Sequence, residues 1–161
     1  MSYAANSGTG TGTTTGVAGR TAVQKAALAV GVVFLAVGVL GFIPGITTHF
    51  GSMSFASHMS GAKLLGLFQV SVLHNIVHLL FGVAGLVLAR TFGGARQYLI
   101  VGGIIYLVLF LYGLVVGQNS AANFVPVNTA DDILHLLLGL GMVGLGVALT
   151  RRSSTTSNAR V

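Results

Sequence analysis

The sequence predicts an all-α membrane protein, a four-helix transmembrane bundle built from two repeated helical hairpins. Three observations predict it. The 161-residue chain is 53% hydrophobic and only 6% charged, with a mean hydropathy of +0.89. A soluble domain carries about 25% charged residues, so lipid must be the solvent for most of this surface. Apolar runs of bilayer length recur along the chain, with basic residues at their ends. The chain also repeats itself. Asn75-Ile-Val-His78-Leu-Leu-Phe-Gly82 reads almost as Asp132-Ile-Leu-His135-Leu-Leu-Leu-Gly139, and each copy opens an apolar segment ending in arginine (Arg90; Arg151 and Arg152).

Residues 1–19 are mostly Gly, Thr, Ser and Ala without apolar period. Such a segment buries too little surface to offset its ordering entropy and reads as a disordered tail. It is not a signal peptide, because the polar stretch is too long and the apolar run behind it is long enough to span. The transmembrane domain, residues 20–152, follows. Its first span covers about 26–43 and is stopped by Pro44-Gly45. The loop 46–70 holds His49, His58, Met53 and Met59. These suggest soft-metal capture less than they suggest an ordinary flexible loop, whose stretch Gly61–Val70 is expected to lie on the membrane surface. The second span, about 71–89, is placed by the repeat. The third covers about 98–116 and the fourth about 128–150, with the short polar loop Gln118–Val127 between them. Each approaches the roughly 20 residues that cross about 30 Å of hydrocarbon. Residues 153–161 read as a second disordered tail.

Arg20, Lys25, Arg90, Arg96, Arg151, Arg152 and Arg160 fall on one side of these spans, and only Lys63 on the other. Basic residues mark the cytoplasmic side. The expectation is a multi-pass protein of the cell membrane with both termini in the cytoplasm.

Composition excludes several classes of function. The chain has no cysteine, which removes disulfides, thiolate metal sites, Fe–S clusters and covalent haem attachment. The net charge of +6 is spread over the ends of apolar runs rather than gathered on one face with aromatics, so nucleic acid is not an expected partner. No glycine-rich loop joins a strand to a helix, no nucleophile–base pair stands out, and no Glu follows His74 as the zinc-protease pattern requires. The chain is therefore not expected to be an enzyme.

The chemistry concentrates in the repeated motif. Ser71 and Asn128 lie at matching positions and suit helix N-caps. Asn128-Thr-Ala-Asp131 resembles a capping box. Asp131 and Asp132, the only acids in the chain, fall in the first turn, where the helix dipole favours negative charge. Capping is their bland reading, and a cation or proton site at the helix mouth is the sharper one. His78 and His135 each lie seven residues beyond their cap, roughly 10 Å into the helix. Asn75 and His78 share a face, as do Asp132 and His135. These faces continue through Gly82, Gly85 and Ala89, and through Gly139, Met142 and Gly146. Small residues let membrane helices approach closely, and polar intramembrane groups face the bundle interior. Both stripes should point inward, related by a pseudo-twofold axis along the membrane normal, with His78 and His135 facing one central polar region. In the structural reading each imidazole is hydrogen-bonded to its own Asn75 or Asp132, or to Tyr106 or Tyr112. In the functional reading the pair binds haem b, binds a divalent metal with Asp131 and Asp132, or passes a proton. His74 and His78, at i and i+4, could also share a metal.

Leu67-Phe-Gln-Val-Ser71-Val-Leu-His74-Asn75-Ile-Val-His78-Leu-Leu80 and Val127-Asn128-Thr-Ala-Asp131-Asp132-Ile-Leu-His135-Leu136 resemble an uncharacterised family of small four-helix bacterial membrane proteins. That family is common in actinomycetes and is known as a domain of unknown function. The resemblance covers about residues 22–152 and implies fold and membrane location without implying an activity. The family pattern has Asn where this chain has Ser71 and Asp132. Ser71 still caps, and the added acid strengthens the cation or proton reading.

Three functions compete. The first is a non-catalytic integral membrane protein with accessory, scaffolding or stress-related duty, partnered by the bilayer and by another membrane protein or a second copy. The second is a haem- or metal-binding protein using the histidine pair. The third is a small proton-coupled carrier.

Overall fold

The computed structural model describes residues 19–158. The expected tail therefore lies outside the described residues up to residue 18, as do residues 159–161. Four helices dominate: α1 (Ala22–Leu40), α2 (Val72–Leu88), α3 (Phe92–Val115) and α4 (Thr129–Asn158). By length and composition α1, α3 and Thr129–Thr150 of α4 can each cross a membrane, while α2 is apolar but only 17 residues long. α3 begins six residues before the expected start near 98, because Thr91 caps it by accepting from the Gly94 N–H at 3.0 Å. α4 runs on to Asn158, into the segment expected to be a tail. No Gly or Pro stands there to end it.

Local chemistry sets the remaining helix ends. Gln24 Oε1 accepts from the Thr21 N–H at 3.1 Å at the start of α1. The same side chain donates to the carbonyls of Ala89 (3.2 Å) and Arg90 (2.9 Å), so the start of α1 is tied to the end of α2. The Ser71 hydroxyl accepts from His74 N–H at 3.1 Å and starts α2. Asn128 Oδ1 accepts from the N–H groups of Ala130 and Asp131, and Asp131 Oδ2 accepts from that of Asn128 at 2.9 Å. The capping box thus forms with aspartate in the usual place of glutamate.

α1 packs most extensively on α2 and α3 on α4, and α1 meets α3 across the middle. Glycines make the first two contacts close. A Cβ on Gly82 would meet the Leu35 backbone nitrogen at 2.7 Å, and one on Gly85 the Gly31 Cα at 2.7 Å. A Cβ on Gly103 would meet the Gly139 carbonyl oxygen at 2.8 Å. A Cβ on Gly146 would meet the Ile100 side chain at 2.7 Å. The α1–α3 contact is aromatic. Phe34 stacks on Tyr106 with ring centroids 5.3 Å apart, and Phe81 fits edge-on against both. Leucines and valines such as Val32, Leu80, Val108, Leu114, Leu137 and Leu140 are more than half exposed on the outside of the bundle. Polar side chains of the helices, such as His74, Asn75, His78, Asp132 and His135, are instead buried, the distribution of a lipid-solvated protein.

The segment between α1 and α2 is folded, where a flexible loop was expected. It forms a three-stranded antiparallel sheet from β1 (Thr47–Thr48), β2 (Lys63–Leu64) and β3 (Phe68–Gln69), with Thr47 opposite Leu64 and Leu64 opposite Phe68. Leu65 and Gly66 turn the β2–β3 hairpin with positive φ (54° and 73°), which glycine adopts freely. Ala62, Leu64 and Val70 pack under it against Val37, Leu40 and Ile46. The strands are too short for a period-2 pattern to announce them.

Candidate functional site

The site grows from the first two turns of α2. Once Ser71 fixes the helix start, His74 and His78 fall one turn apart on one face. Their rings stack at 4.6 Å between centroids, tilted 26°. His78 Nδ1 lies 2.9 Å from the His74 carbonyl oxygen. A carbonyl only accepts, so Nδ1 carries the proton and Nε2 of a neutral ring is left as an acceptor. This differs from the expected bond to Asn75, because a carbonyl of the same helix is already within reach one turn back.

The facing half of the site comes from α3 and α4. His135 lies 6.4 Å from His74 and 5.3 Å from Tyr106, ring centroid to centroid, and Tyr106 meets it edge-on at 60°. Phe34 touches His78 at 5.6 Å. All three imidazoles are buried, at 4–7% exposure. His135 Nδ1 has no hydrogen-bond partner, so His135 is held by ring contacts, where a bond to Asp132 or a tyrosine was one expectation. The three histidines, Tyr106, Tyr112 and Phe124 help to line a cavity of about 320 Å³, closed elsewhere by valines and Leu109. His78 and His135 thus face one cavity, with His74 in contact with both.

The other candidates are placed elsewhere. Asn75 is turned toward Gly41 of the chain after α1, and its Nδ2 approaches Met53 Sδ at 3.9 Å. Asp132 is turned toward Gly113 of α3, and its Oδ1 is buried without a partner. Asp131 Oδ2 accepts from the Gln69 N–H at 3.0 Å as well as from Asn128, which clasps the outer sheet to α4. None of the three lines the cavity. Among the described residues no three His or Asp side chains converge to hold a metal ion.

Part of the cavity wall comes from a loop that carried no signal in the sequence. Asn123, fully buried, donates to the carbonyls of Gln118 (3.1 Å) and Val127 (3.2 Å) and accepts from the Val127 N–H at 3.1 Å. This folds the loop so that Phe124, Val125 and Val127 reach the cavity. Tyr112 donates its hydroxyl to the Ala122 carbonyl and fixes the same loop from α3. An asparagine in a polar loop is ordinary turn chemistry, and nothing in its spacing marks it as a wall.

No curated protein and no solved structure matches this chain. A family model does, over residues 24–148, and its description is a domain of unknown function, DUF4383. The motifs around His78 and His135 lie inside that match, and the chain belongs to the DUF4383 family.

Proposed function

We propose that the chain is a non-catalytic, multi-pass protein of the cell membrane whose histidine-walled cavity holds a small uncharged ligand, in an accessory or scaffolding role. One observation carries this reading. Three buried imidazoles and two phenols meet around one cavity that has otherwise apolar walls. Pockets for small ligands are of this kind, largely apolar with a few convergent polar groups.

The proposal includes the architecture of two copied hairpins. Its support is a set of matched contacts. Gly31 and Gly82 of the first pair correspond to Gly103 and Gly139 of the second, each pair in backbone contact. Gly41 faces Asn75 as Gly113 faces Asp132. Phe34 touches His78 as Tyr106 touches His135. Phe34 and Tyr106 stack on each other, where a pseudo-twofold axis along the membrane normal would pass. Cytoplasmic termini are supported by the bond from Gln24 to Arg90, which brings Arg20 and Arg90 to one end of the bundle.

The other readings have less support. A haem between His78 and His135 would require the volume that the His74 ring fills. A proton path would have to continue through the contact of Phe34, Phe81 and Tyr106, which is packed ring on ring.

The test is purification of the whole protein in mild detergent, followed by mass spectrometry of what it releases on denaturation and identification of proteins that accompany it. A released small molecule that is reduced in the cavity-narrowing variant Val125→Trp supports the reading. A Soret band in the absorption spectrum would replace it with the haem reading. A protein that releases nothing, and whose stability no lipophilic compound changes, would end it.

A further inference from the structure

We propose that the ligand is an isoprenoid quinone, its ring in the cavity and its hydrocarbon tail left in the lipid. The inference rests on the ligand-binding reading above and names its chemical class.

Charge excludes the commoner lipids. No Lys, Arg or Asp lines the cavity, and an ionised headgroup buried without a counter-charge is strongly disfavoured. Phospholipids and free phosphate are therefore poor occupants. The route of entry points to the bilayer. Val77 and Val108, which line the cavity, are 42% and 58% exposed on helices whose outer surface is apolar. A ligand reaching the cavity past them passes from hydrocarbon, and a tail can remain between them.

Shape and hydrogen bonding then narrow the choice. The walls are flat rings, with His74 stacked on His78 and Tyr106 edge-on to His135, so a planar ring finds faces and edges to pack on. A volume of about 320 Å³ is at the lower end for ligand cavities. It suits a single substituted ring better than four fused ones. A neutral imidazole has one N–H and one acceptor nitrogen. His135 of α4 and Tyr106 of α3 both line the cavity, one with an imidazole and the other with a hydroxyl. A quinone carries carbonyl oxygens on its ring edges and can accept from such groups. In its reduced form the same positions donate, and His78 Nε2 is an acceptor for them. An aliphatic alcohol has one polar end and no face.

The experiment uses the whole protein in nanodiscs of phosphatidylcholine free of quinone. It is titrated with a decyl-substituted benzoquinone and, separately, with dodecanol, and binding is read by calorimetry and by the shift in melting temperature. Saturable binding of the quinone without that of dodecanol is expected. His135→Phe and Tyr106→Phe should weaken it about tenfold, the loss of roughly one hydrogen bond in a dry pocket. Tyr106→Phe keeps the stacked ring, so it reports on binding even where His135→Phe fails to fold. Equal binding of dodecanol, or unchanged affinity in Tyr106→Phe and in folded His135→Phe, overturns the proposal. A different molecule released by the purified protein and not displaced by the quinone overturns the ligand class while leaving the ligand-binding reading in place. Absence of any released molecule together with absence of binding overturns both.

Discussion

Asp132 fills the space that Gly113 leaves by having no side chain, and a Cβ placed on Gly113 would overlap its carboxylate. Asn75 occupies the space at Gly41 in the same manner. Each polar side chain is thereby drawn against a neighbouring strand of backbone and away from the histidine three residues further on. This explains why neither hydrogen-bonds its own imidazole. The end of the bundle away from Arg90 thus has two layers: carboxamide and carboxylate set into glycine notches, and imidazoles set around a cavity.

The glycines at helix contacts should divide by what they face. A Cβ on Gly82 would meet the Leu35 backbone nitrogen at 2.7 Å and one on Gly103 the Gly139 carbonyl at 2.8 Å, whereas one on Gly141 or Gly144 would meet nothing within 4 Å. Backbone cannot move aside as a side-chain tip can. Gly82→Ala and Gly103→Ala should each cost about 1–3 kcal/mol by overpacking. Gly141→Ala and Gly144→Ala should be neutral or slightly stabilising, because alanine is the better helix former. Melting temperatures in detergent check this, and equal values for all four variants would place the seam elsewhere.

Much of the fold could be read from the sequence because membrane helices announce themselves. Long apolar runs mark α1, α3 and α4, and the match of Asn75–Gly82 to Asp132–Gly139 locates α2 despite its length. Ser71 and Asn128 are legible as caps because capping depends on residues three or four positions away. The small sheet is another matter. Thr47 pairs with Leu64 across a long loop, and two-residue strands leave no periodic trace. The cavity is half legible: the stripe logic points His78 and His135 inward. The stacking of His74 on His78 and the wall built by Asn123 depend on tertiary contacts that local spacing does not encode.

Asp132 bears on stability and function together. Its Oδ1 is buried with no hydrogen-bond partner, which costs more free energy for an ionised carboxylate than for a neutral carboxamide of the same shape. Asp132→Asn should therefore fold and melt at or above the wild-type temperature. A lower melting temperature would mean that the carboxylate has a stabilising partner in the membrane, such as a bound cation, and metal analysis of the wild-type protein would then identify it.

The proposed orientation is checked by reporter fusions. One fusion follows Val161, and another is placed in the loop at Asn119-Ser120, at the opposite end of α3 from Arg90 and Arg96. A reporter active only in the cytoplasm should work in the first and fail in the second. The reverse pattern would invert the topology and place the cavity toward the cytoplasmic leaflet.

The clasp at Asp131 predicts a graded series. Its Oδ2 accepts from the N–H groups of Gln69 at 3.0 Å and Asn128 at 2.9 Å, and the Asn128 side chain donates to the Leu67 carbonyl at 2.8 Å. Together these hold the outer sheet on the start of α4. Asp131→Ala leaves two backbone donors without an acceptor, at about 1–3 kcal/mol for each one that stays buried. Asp131→Asn keeps one carbonyl oxygen in place and should recover part of that loss, though without the favourable charge at the helix N-terminus. Melting temperature should fall in the order wild type, Asn, Ala. Protease cleavage between Thr47 and Gln69 should rise in the same order, because the sheet is released before the helices separate. Cleavage that stays at the wild-type rate in Asp131→Ala would show that the apolar contacts of Ala62, Leu64 and Val70 hold the sheet by themselves.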